Sequence, residues 1–515
     1  MKSIRNDRRR FLGMAGAALF ASSGASTVAL APKSAHAANH QAMAKRAPRH
    51  ADGVEVVTAS DGRGDWAASV TSVAALKELN AASLHVGQRI WVDGYHDGST
   101  RGGGVFIVVD DPAPDDGGHL FAPNAPSGSK KYRRANANPM HANVIDFGAV
   151  GDGATSDQAA FERAIAALSQ AAIMGAESRS ITRAPGGTLE LPPTRGGYLL
   201  TDTLTFSSSI VMAHILGGGR LYQKATNKGF FRFTADGRQF PDNTQRLLEI
   251  RDLWFEWKTK TSNPGAVAID FGRNTIGGAT NQVSIDNCYF YKGFRCIQSD
   301  HNRKRGYTSN LFISQCQCGG MSGAFLYLAA QTNTSVAMDK CWLQYAGRRR
   351  EYVVDVYASG EFSMFRCSLE AGGNGNDCCQ IAIRNSPNTS IISSRWEWGD
   401  IPNGKPVIHV ENTQGGLNLH SVSFHNLDVA AGKTAVLLRQ WHGITDVTGK
   451  FQLQRFNCNR TGTLYICDTK FHGKIYWDAT YREMENEDGD RIYFYPAGDA
   501  GVVSQPDFKP LPRTV

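Results

Sequence analysis

Short stretches of alternating apolar and polar residues recur along the second half of the chain. Each stretch has an apolar, a variable and an apolar residue, then two polar residues, then a Cys or an equivalent small or apolar residue, here called the key residue. The key residues are Leu253, Cys288, Cys316, Cys341, Cys367, Ser394 and Val422. From Cys288 onwards they are 25 to 28 residues apart. The alternation predicts strands, and the polar pair predicts a bend between them. The period predicts one superhelical coil per repeat.

The repeat therefore predicts an all-β fold, a right-handed parallel β-helix or solenoid. Stacked coils bring like residues together, and a buried Cys packs as a small hydrophobe. We expect the key cysteines to be core thiols rather than disulfides, and we leave open the state of Cys378, Cys379, Cys458 and Cys467. A helical solenoid is disfavoured because the segments have a period of 2 and lack ten-residue amphipathic stretches.

A motif before the repeats points to the same fold. The stretch Val144-Ile-Asp-Phe-Gly-Ala-Val-Gly-Asp-Gly-Ala-Thr-Ser-Asp157 precedes an apolar segment at 159–168. It resembles the opening signature of the pectate lyase-like superfamily, in which a strand and a Gly-rich turn lead into a helix that caps the solenoid. Asp157 is suited to begin such a helix as its N-cap. The resemblance continues through Gly186-Gly-Thr-Leu-Glu-Leu-Pro-Pro193.

Residues 91–98 and 102–110 resemble the small β domain that precedes the β-helix in phage tailspike polysaccharide depolymerases. Together the resemblance covers residues 70 to about 470. It implies a polysaccharide substrate, and a homotrimer is compatible with it. The superfamily includes lyases, hydrolases, epimerases and binding proteins, so the reaction must be argued from the site. The sequence motifs of polygalacturonases and of calcium-dependent pectate lyases are absent.

The N-terminus has the features of an export signal. Arg8-Arg9-Arg10-Phe11-Leu12 precedes an apolar stretch that ends in Ala35-His36-Ala37, an A-x-A cleavage pattern. The paired arginines resemble a twin-arginine signal, which implies the twin-arginine export machinery as a partner and a periplasmic or secreted product. An ordinary secretory signal and an uncleaved anchor are the alternatives. No later stretch is apolar enough to span a membrane.

These features predict five regions. They are a signal peptide at 1–37, a lead-in at 38–70, a small β domain at 71–140, a β-helix at 141–478 and a C-terminal hairpin or cap at 479–515. The hairpin turn is placed at Asp488-Gly489. The acidic run around it lacks the spacing of an EF-hand, so no metal or other cofactor is predicted.

Charge placement argues against a nucleic-acid partner. The formal net charge is +8, but five of these charges lie in the first 37 residues. The remaining 478 residues carry +3, too little for the basic stripe that a phosphate backbone requires.

The predicted stacking selects candidate catalytic residues. Residues three positions after the key residue should face outward and form a column with a step of about 4.8 Å. On consecutive coils this column holds Glu370, Glu397 and His425. Glycosidases use two carboxyl groups about 5 to 9.5 Å apart. A solvated acidic column is the simpler alternative.

Residues around this column are candidates for binding sugar. Trp342, Tyr345 and Trp398 offer rings, whereas parity places Trp396 inside. Arg366 and Arg395 offer cations, which a lyase needs to neutralise a uronic carboxylate. The sequence thus favours an exported enzyme that cleaves an acidic bacterial or plant polysaccharide. Hydrolysis by Glu370 and Glu397 is the first hypothesis, and β-elimination with His425 and the arginines is the second. The alternative is a non-catalytic glycan-binding protein that assists exopolysaccharide assembly or secretion.

Overall fold

The computed structural model describes residues 54–55, 66–125, 128–174, 187–207, 212–234, 244–271, 279–299, 307–329, 334–345, 351–358, 360–372, 376–403, 405–411, 416–454, 463–467, 472–483 and 492–493. The chain divides into two compact units, residues 1–57 and 58–515. The described part of the first unit is the strand Val54–Glu55. The predicted signal peptide lies outside the described residues and stays a prediction.

A small β domain opens the second unit, as predicted. Its strands, in sheet order, are Trp66–Ser72, Arg89–Gly94, Gly104–Asp110, Lys130–Arg134 and Leu120–Phe121. Short helices Val73–Glu78 and Ala81–Ser83 follow the first strand. Val70, Ile90, Phe106 and Tyr132 are buried at the inward positions of these strands. Alternation between buried and exposed residues therefore places the core on one face of this sheet.

The rest of the unit is a parallel β-helix with three sheets, confirming the predicted fold. Sheet 1 holds the strand before the bend: His141–Asn143, Gly187–Glu190, Met212–Leu216, Thr244–Arg251, Ala279–Asp286, Tyr307–Ser314, Thr334–Asp339, Glu361–Phe365, Asn388–Ile392 and Gly416–His420. The strand His472–Glu483 runs through sheet 1 and on into sheet 2. Sheet 2 follows the bend: Asp152–Ser156, Gly197–Leu200, Arg220–Gln223, Trp254–Trp257, Tyr289–Tyr291, Gln317–Gly319, Trp342–Tyr345, Ser368–Ala371, Arg395–Asp400 and Ser423–Asp428.

Sheet 3 completes each coil. Its strands are Leu204–Ser207, Phe231–Thr234, Val267–Asp270, Arg295–Ser299, Leu326–Leu328, Val354–Tyr357, Ile381–Arg384, Pro406–Glu411, Thr463–Cys467 and Ile492–Tyr493. The long strand Thr434–Gln454 runs through all three sheets in turn. Parallel pairing of each strand with its equivalent in the next coil keeps equivalent residues in columns.

The bend between sheets 1 and 2 is one residue in the left-handed conformation, immediately before each key residue. These residues are Asp252, Asn287, Gln315, Lys340, Arg366, Ser393 and Ser421, with φ between 48° and 59°. The backbone N–H of each donates to a carbonyl of the next coil, for example Asn287 to Ser314 at 3.0 Å. The ladder of hydrogen bonds therefore continues through the bend, which offsets part of the cost of a left-handed non-Gly residue.

The key cysteines fill the core behind this bend. Cys288, Cys316, Cys341 and Cys367 are buried and carry thiols, as predicted. Cys378 and Cys379 are buried thiols as well, which resolves the question left open for this pair. Cys458 lies outside the described residues, and the side chain of Cys467 is not described. Stacked rings such as Phe255 on Phe290 continue the core, with centroids 5.2 Å apart.

The predicted capping helix is Gln158–Met174. Phe161 and Leu168 are fully buried on the side that covers the first coils. The side chain of Asp157 does something other than the N-capping we expected. Its Oδ1 accepts from the amides of Val150 and Gly151, and its Oδ2 accepts from the amide of Leu199. The carboxyl group therefore connects the Gly-rich turn to Gly197–Leu200, the second strand of sheet 2.

The C-terminal strands correct the predicted hairpin. Tyr481 and Glu483 pair in parallel with Phe451 and Leu453, and Ile492–Tyr493 pairs in parallel with the strand Thr463–Cys467. The strands on either side of the expected turn thus continue the solenoid instead of pairing with each other. The turn itself lies outside the described residues. None of the described helices combines the length and apolar character needed to cross a membrane.

Candidate active site

The outward face of sheet 2 carries the predicted column. The strands pair Gln344 with Glu370, Glu370 with Glu397, and Glu397 with His425. All four side chains are partly exposed, while Leu369, Trp396 and Phe424 beside them are buried. Adjacent parallel strands lie about 4.8 Å apart, so the two glutamates come from neighbouring positions on one surface. The structure therefore brings together the three residues that the repeat selected.

A second column flanks the glutamates on the side of the bend. Trp342 pairs with Ser368, and Ser368 pairs with Arg395. Trp342 is 41% exposed, and its indole Nε1 donates to Glu370 Oε2 at 2.9 Å. Arg395 donates to the Ser368 hydroxyl at 2.9 Å and lies 3.5 Å from Glu397 Oε2. The small side chain of Ser368 therefore lies between the ring of Trp342 and the guanidinium of Arg395.

Three other candidates lie elsewhere than expected. Tyr345 is fully buried, because its position is four residues after Cys341 and so faces inward. It is therefore not a surface ring for sugar. Arg366 occupies the bend itself and donates twice to Asp339 Oδ1 at 2.8 and 3.1 Å, which directs its guanidinium toward sheet 1. Trp398 is half-buried and left-handed, with φ 65°.

Trp398 is part of a kink that the sequence did not reveal. Asn426, the equivalent residue on the next coil, is also left-handed, with φ 52°. After the kink, Gly399 and Leu427 face inward, and the next pair, Asp400 and Asp428, is partly exposed. A regular strand would turn residues 400 and 428 inward, because side chains alternate. The kink instead returns both aspartates to the face that carries Glu397 and His425.

The two aspartates are paired in register and influence each other. Burial, together with the charge of Asp400, raises the pKa of Asp428 to about 6. The backbone of Asp377, on the preceding coil, forms an isolated parallel β-bridge with that of Asp400. Among the described residues, no three His, Cys, Asp or Glu side chains are arranged to hold a metal ion. What this face offers is carboxyl groups, one of which keeps its proton to near-neutral pH.

A second group of polar residues lies on sheet 3. These residues could not be aligned from the sequence, because the strands of sheet 3 lack the repeat pattern. Asp355 and His409 share a column with Ala382 between them. Arg384 forms an ion pair with Asp355, with side-chain exposures of 19% and 15%. The small Ala382 is fully buried, so neighbouring side chains cover it. We call Tyr352, Asp355, Arg384, His409 and Glu411 the sheet 3 cluster.

Proton-transferring groups in this cluster are linked in a chain. The hydroxyl of Tyr352 lies 3.4 Å from His409 Nδ1, and His409 Nε2 lies 3.2 Å from Glu411 Oε1. The guanidinium of Arg384 is 5.7 Å from the centre of the Tyr352 ring. Burial raises the pKa of Tyr352, although the charge of Arg384 opposes the effect. The tyrosine and histidine could thus exchange a proton beside a fixed cation.

Comparison with known proteins supports the architecture. Residues 69–137 match the family described as the phage tail protein small four-stranded β-sheet domain. The tailspike gp42 of Acinetobacter phage vb_AbaP_AS12 aligns over 80% of this chain and 69% of its own, with 12% identity and a TM-score of 0.52. The fold is a tailspike-like parallel β-helix. Tailspike protein 4 of bacteriophage CBA120 aligns over 80% of this chain and 54% of its enzymatically active domain, with 13% identity and a TM-score of 0.46.

One curated protein adds a match in sequence. AmsF of Erwinia amylovora, an amylovoran biosynthesis protein, is 35% identical over 85 residues. The match covers 16% of this chain and 11% of AmsF. The match therefore concerns a small part of this chain and of AmsF. The activity must be argued from the outward faces of the solenoid.

Proposed function

We propose that this protein is an exported enzyme that cleaves a polysaccharide lying along the outward face of sheet 2. The observation that carries the proposal is the register of Glu370, Glu397 and His425 on three consecutive coils, with Asp400 and Asp428 returned to the same face. Trp342 and Arg395 border these groups. A ring, a cation and several carboxyl groups on one open surface suit a sugar chain better than a compact ligand.

Hydrolysis is the mechanism that the residues of sheet 2 support best. A glycosidase needs one carboxyl group that donates a proton to the glycosidic oxygen and one carboxylate that attacks the sugar or activates water. Glu370 and Glu397 supply the pair. Trp342 donates to Glu370 and so orients that carboxylate. Arg395 lies 3.5 Å from Glu397 Oε2 on the outward face, and we assign Glu397 the role of base or nucleophile.

β-Elimination is the second candidate, and the sheet 3 cluster favours it. In that reaction a base removes the proton on the carbon next to a uronic carboxylate. The electron pair forms a carbon–carbon double bond, the bond to the neighbouring sugar oxygen breaks, and that oxygen takes up a proton. Tyr352 and His409 could exchange these protons, and Arg384 could face the carboxylate. Arg366, our earlier candidate for the cation, lies at the bend, and its hydrogen bonds to Asp339 direct it toward sheet 1.

One assay separates these mechanisms. The mature protein is incubated with acidic polysaccharides, and reducing ends are followed together with the ultraviolet absorbance of unsaturated sugars. For hydrolysis we expect reducing ends without absorbance, and a loss of about 10² to 10⁴ in rate for Glu370→Gln with Glu397→Gln. Glu361→Gln, an exposed carboxylate on sheet 1, is the matched control and should keep full activity.

Other outcomes assign the function differently. If both signals rise and Tyr352→Phe abolishes them while the two glutamine variants do not, elimination on sheet 3 replaces hydrolysis. Retained depolymerisation in the double glutamine variant, without absorbance, would contradict the roles given to the glutamates. Binding without either signal would favour the glycan-binding alternative, which also agrees with the short match to an amylovoran biosynthesis protein.

A further inference from the structure

The first coils of sheet 2 carry a group of aromatic and basic residues that the hydrolytic mechanism does not use. Arg220, Tyr222, Trp254, Tyr289 and Tyr291 occupy outward positions on three adjacent strands. Lys258 and Lys292 follow two of these strands. We call these seven residues the aromatic platform.

The rings of the platform form a continuous surface. Trp254 and Tyr289 have centroids 4.2 Å apart, and Tyr289 and Tyr291 have centroids 6.0 Å apart. Gly319 on the next coil adds no side chain, and a Cβ there would lie 3.0 Å from the Tyr289 hydroxyl. Farther along the sheet the next outward ring is Trp342, which contacts Glu370. Flat apolar surfaces with polar edges are suited to contact the faces of sugar rings.

Cations lie over these rings. The guanidinium of Arg220 is 4.5 Å from the Trp254 ring centre and 4.8 Å from that of Tyr222. Lys258 Nζ is 3.6 Å from the Tyr222 ring centre, and Lys292 Nζ is 4.8 Å from that of Tyr291. Such contacts fix the positions of the charges without neutralising them.

The platform keeps a net positive charge. Its carboxylate is the buried Glu256, which forms ion pairs with Arg220 and with Lys292, the latter at 3.0 Å. Burial opposes ionisation of Glu256, but the hydrogen bonds from both cations hold its pKa below the ordinary value. Among the described residues, Lys258 has no carboxylate within ion-pair distance and is exposed. Three cations thus face one anion.

Two buried donors add to this picture. Arg220 Nε and Trp254 Nε1 are shielded from solvent, and neither has an acceptor among the described residues. A buried donor without an acceptor costs roughly 1–3 kcal/mol. A ligand with carboxylate or hydroxyl oxygens that shifted the stacked Arg220 side chain would supply acceptors to both.

We infer that the aromatic platform binds the acidic sugars of the same chain whose glycosidic bond reaches Glu370 and Glu397, so that the substrate is an anionic polysaccharide. The inference rests on the proposed function. Trp254 lies four strands before Glu370 in sheet 2, a distance of roughly 19 Å at strand spacing. Several sugar residues therefore bridge the two places, and the platform selects the substrate at a distance from the bond that breaks.

Binding measurements test the inference. Calorimetric titrations use the inactive Glu370→Gln, Glu397→Gln protein with oligosaccharides of alginate, polygalacturonate and hyaluronan, and with dextran as the neutral probe. We expect at least one acidic probe to bind, about tenfold more weakly after Lys258→Gln with Lys292→Gln and more weakly at higher salt. The matched control is Lys405→Gln with Lys433→Gln, two exposed lysines outside the platform. It should leave binding unchanged.

The outcomes distinguish this inference from the proposed function. Equal binding of dextran, affinity unaffected by the platform lysines, or no binding of any acidic probe overturns the inference. In those cases the proposed function would still hold if the native protein cleaved a neutral polysaccharide and the Glu370→Gln, Glu397→Gln protein did not. If an acidic probe binds through the platform lysines but the native protein cuts none of the polysaccharides, the platform would remain a site for acidic sugars and the proposed function would be overturned.

Discussion

At the scale of single residues, the titratable side chains of sheet 2 differ in their contacts and in their burial. Trp342 and Arg395 each contact one of the two glutamates, whereas the kink places Asp428 in register with Asp400. A carboxyl group that is half-buried and next to another carboxylate resists ionisation. The same arrangement that keeps the proton on Asp428 to about pH 6 makes its ionised form costly to the fold.

The stability of the protein should report this cost. An unfolded aspartate loses its proton near its ordinary pKa of 3.8, whereas Asp428 keeps its proton to about pH 6. Between these values the folded state holds more protons than the unfolded state, so the free energy of unfolding falls as the pH rises. Asp428→Asn removes that fall. Denaturant unfolding should show a gain in stability over the native protein that is larger at pH 8 than at pH 4.

The opposite result would show that the pair is ionised at little cost. If Asp428→Asn changed stability equally at both pH values, Asp428 would have an ordinary pKa in the folded protein. Glu361→Gln is the control, because that carboxylate is exposed on sheet 1 and should give no pH-dependent difference.

The residues of the site differ in how far the sequence could reveal them. A constant distance from the key residue was enough to place Glu370, Glu397 and His425, since register is preserved from coil to coil. Alternation fails at Trp398, because this left-handed residue reverses the inward and outward positions of the residues after it. A tryptophan does not indicate a left-handed conformation. The sheet 3 cluster depends on strands that lack a repeated pattern. Its members therefore could not be aligned from the sequence.

At the scale of elements, the cap helix and the first coil depend on one carboxyl group. Asp157 is nearly inaccessible to solvent, and its side chain accepts three backbone amides at 2.6, 3.0 and 3.2 Å. Burial raises its pKa although these amides oppose the effect. The sequence correctly placed a helix after Asp157. The helix-start pattern alone could not show that the carboxyl group faces the Gly-rich turn and Leu199.

Removal of this carboxyl group should loosen the closed end of the solenoid. Asp157→Ala leaves three buried amides without acceptors and should cost about 3 kcal/mol or more in the free energy of unfolding. Asp152→Ala is the matched comparison. The Asp152 carboxylate also accepts backbone amides, those of Ala154 and Thr155, but it is exposed and water can replace it. We expect a cost of about 1 kcal/mol there. Equal losses in denaturant unfolding would contradict the structural role of Asp157.

At the scale of the whole molecule, the thiols and the N-terminal sequence require a common explanation. The eight described cysteines that carry thiols are all buried. Burial raises the pKa of Cys296 and Cys316 well above the ordinary value, which suppresses the reactive thiolate. Exported proteins usually form disulfides in oxidising compartments. A chain that folds before export encloses its thiols first, and the predicted twin-arginine signal provides that order of events.

The last prediction tests this order. Lysine at positions 8, 9 and 10 preserves the charge of the signal but removes the paired arginines, so the precursor should stay in the cytoplasm of a bacterium with twin-arginine export. Arg5→Lys, the same change outside the run, should be exported normally.

In a third variant a general secretory signal replaces residues 1–37, and the chain is exported before it folds. Thiol counting after denaturation should find the native set of thiols in the normally exported protein and fewer in this variant, because its cysteines meet oxidants while exposed. Full export of the triple-lysine variant, or equal thiol counts by both routes, would show that the buried thiols do not depend on folding before export.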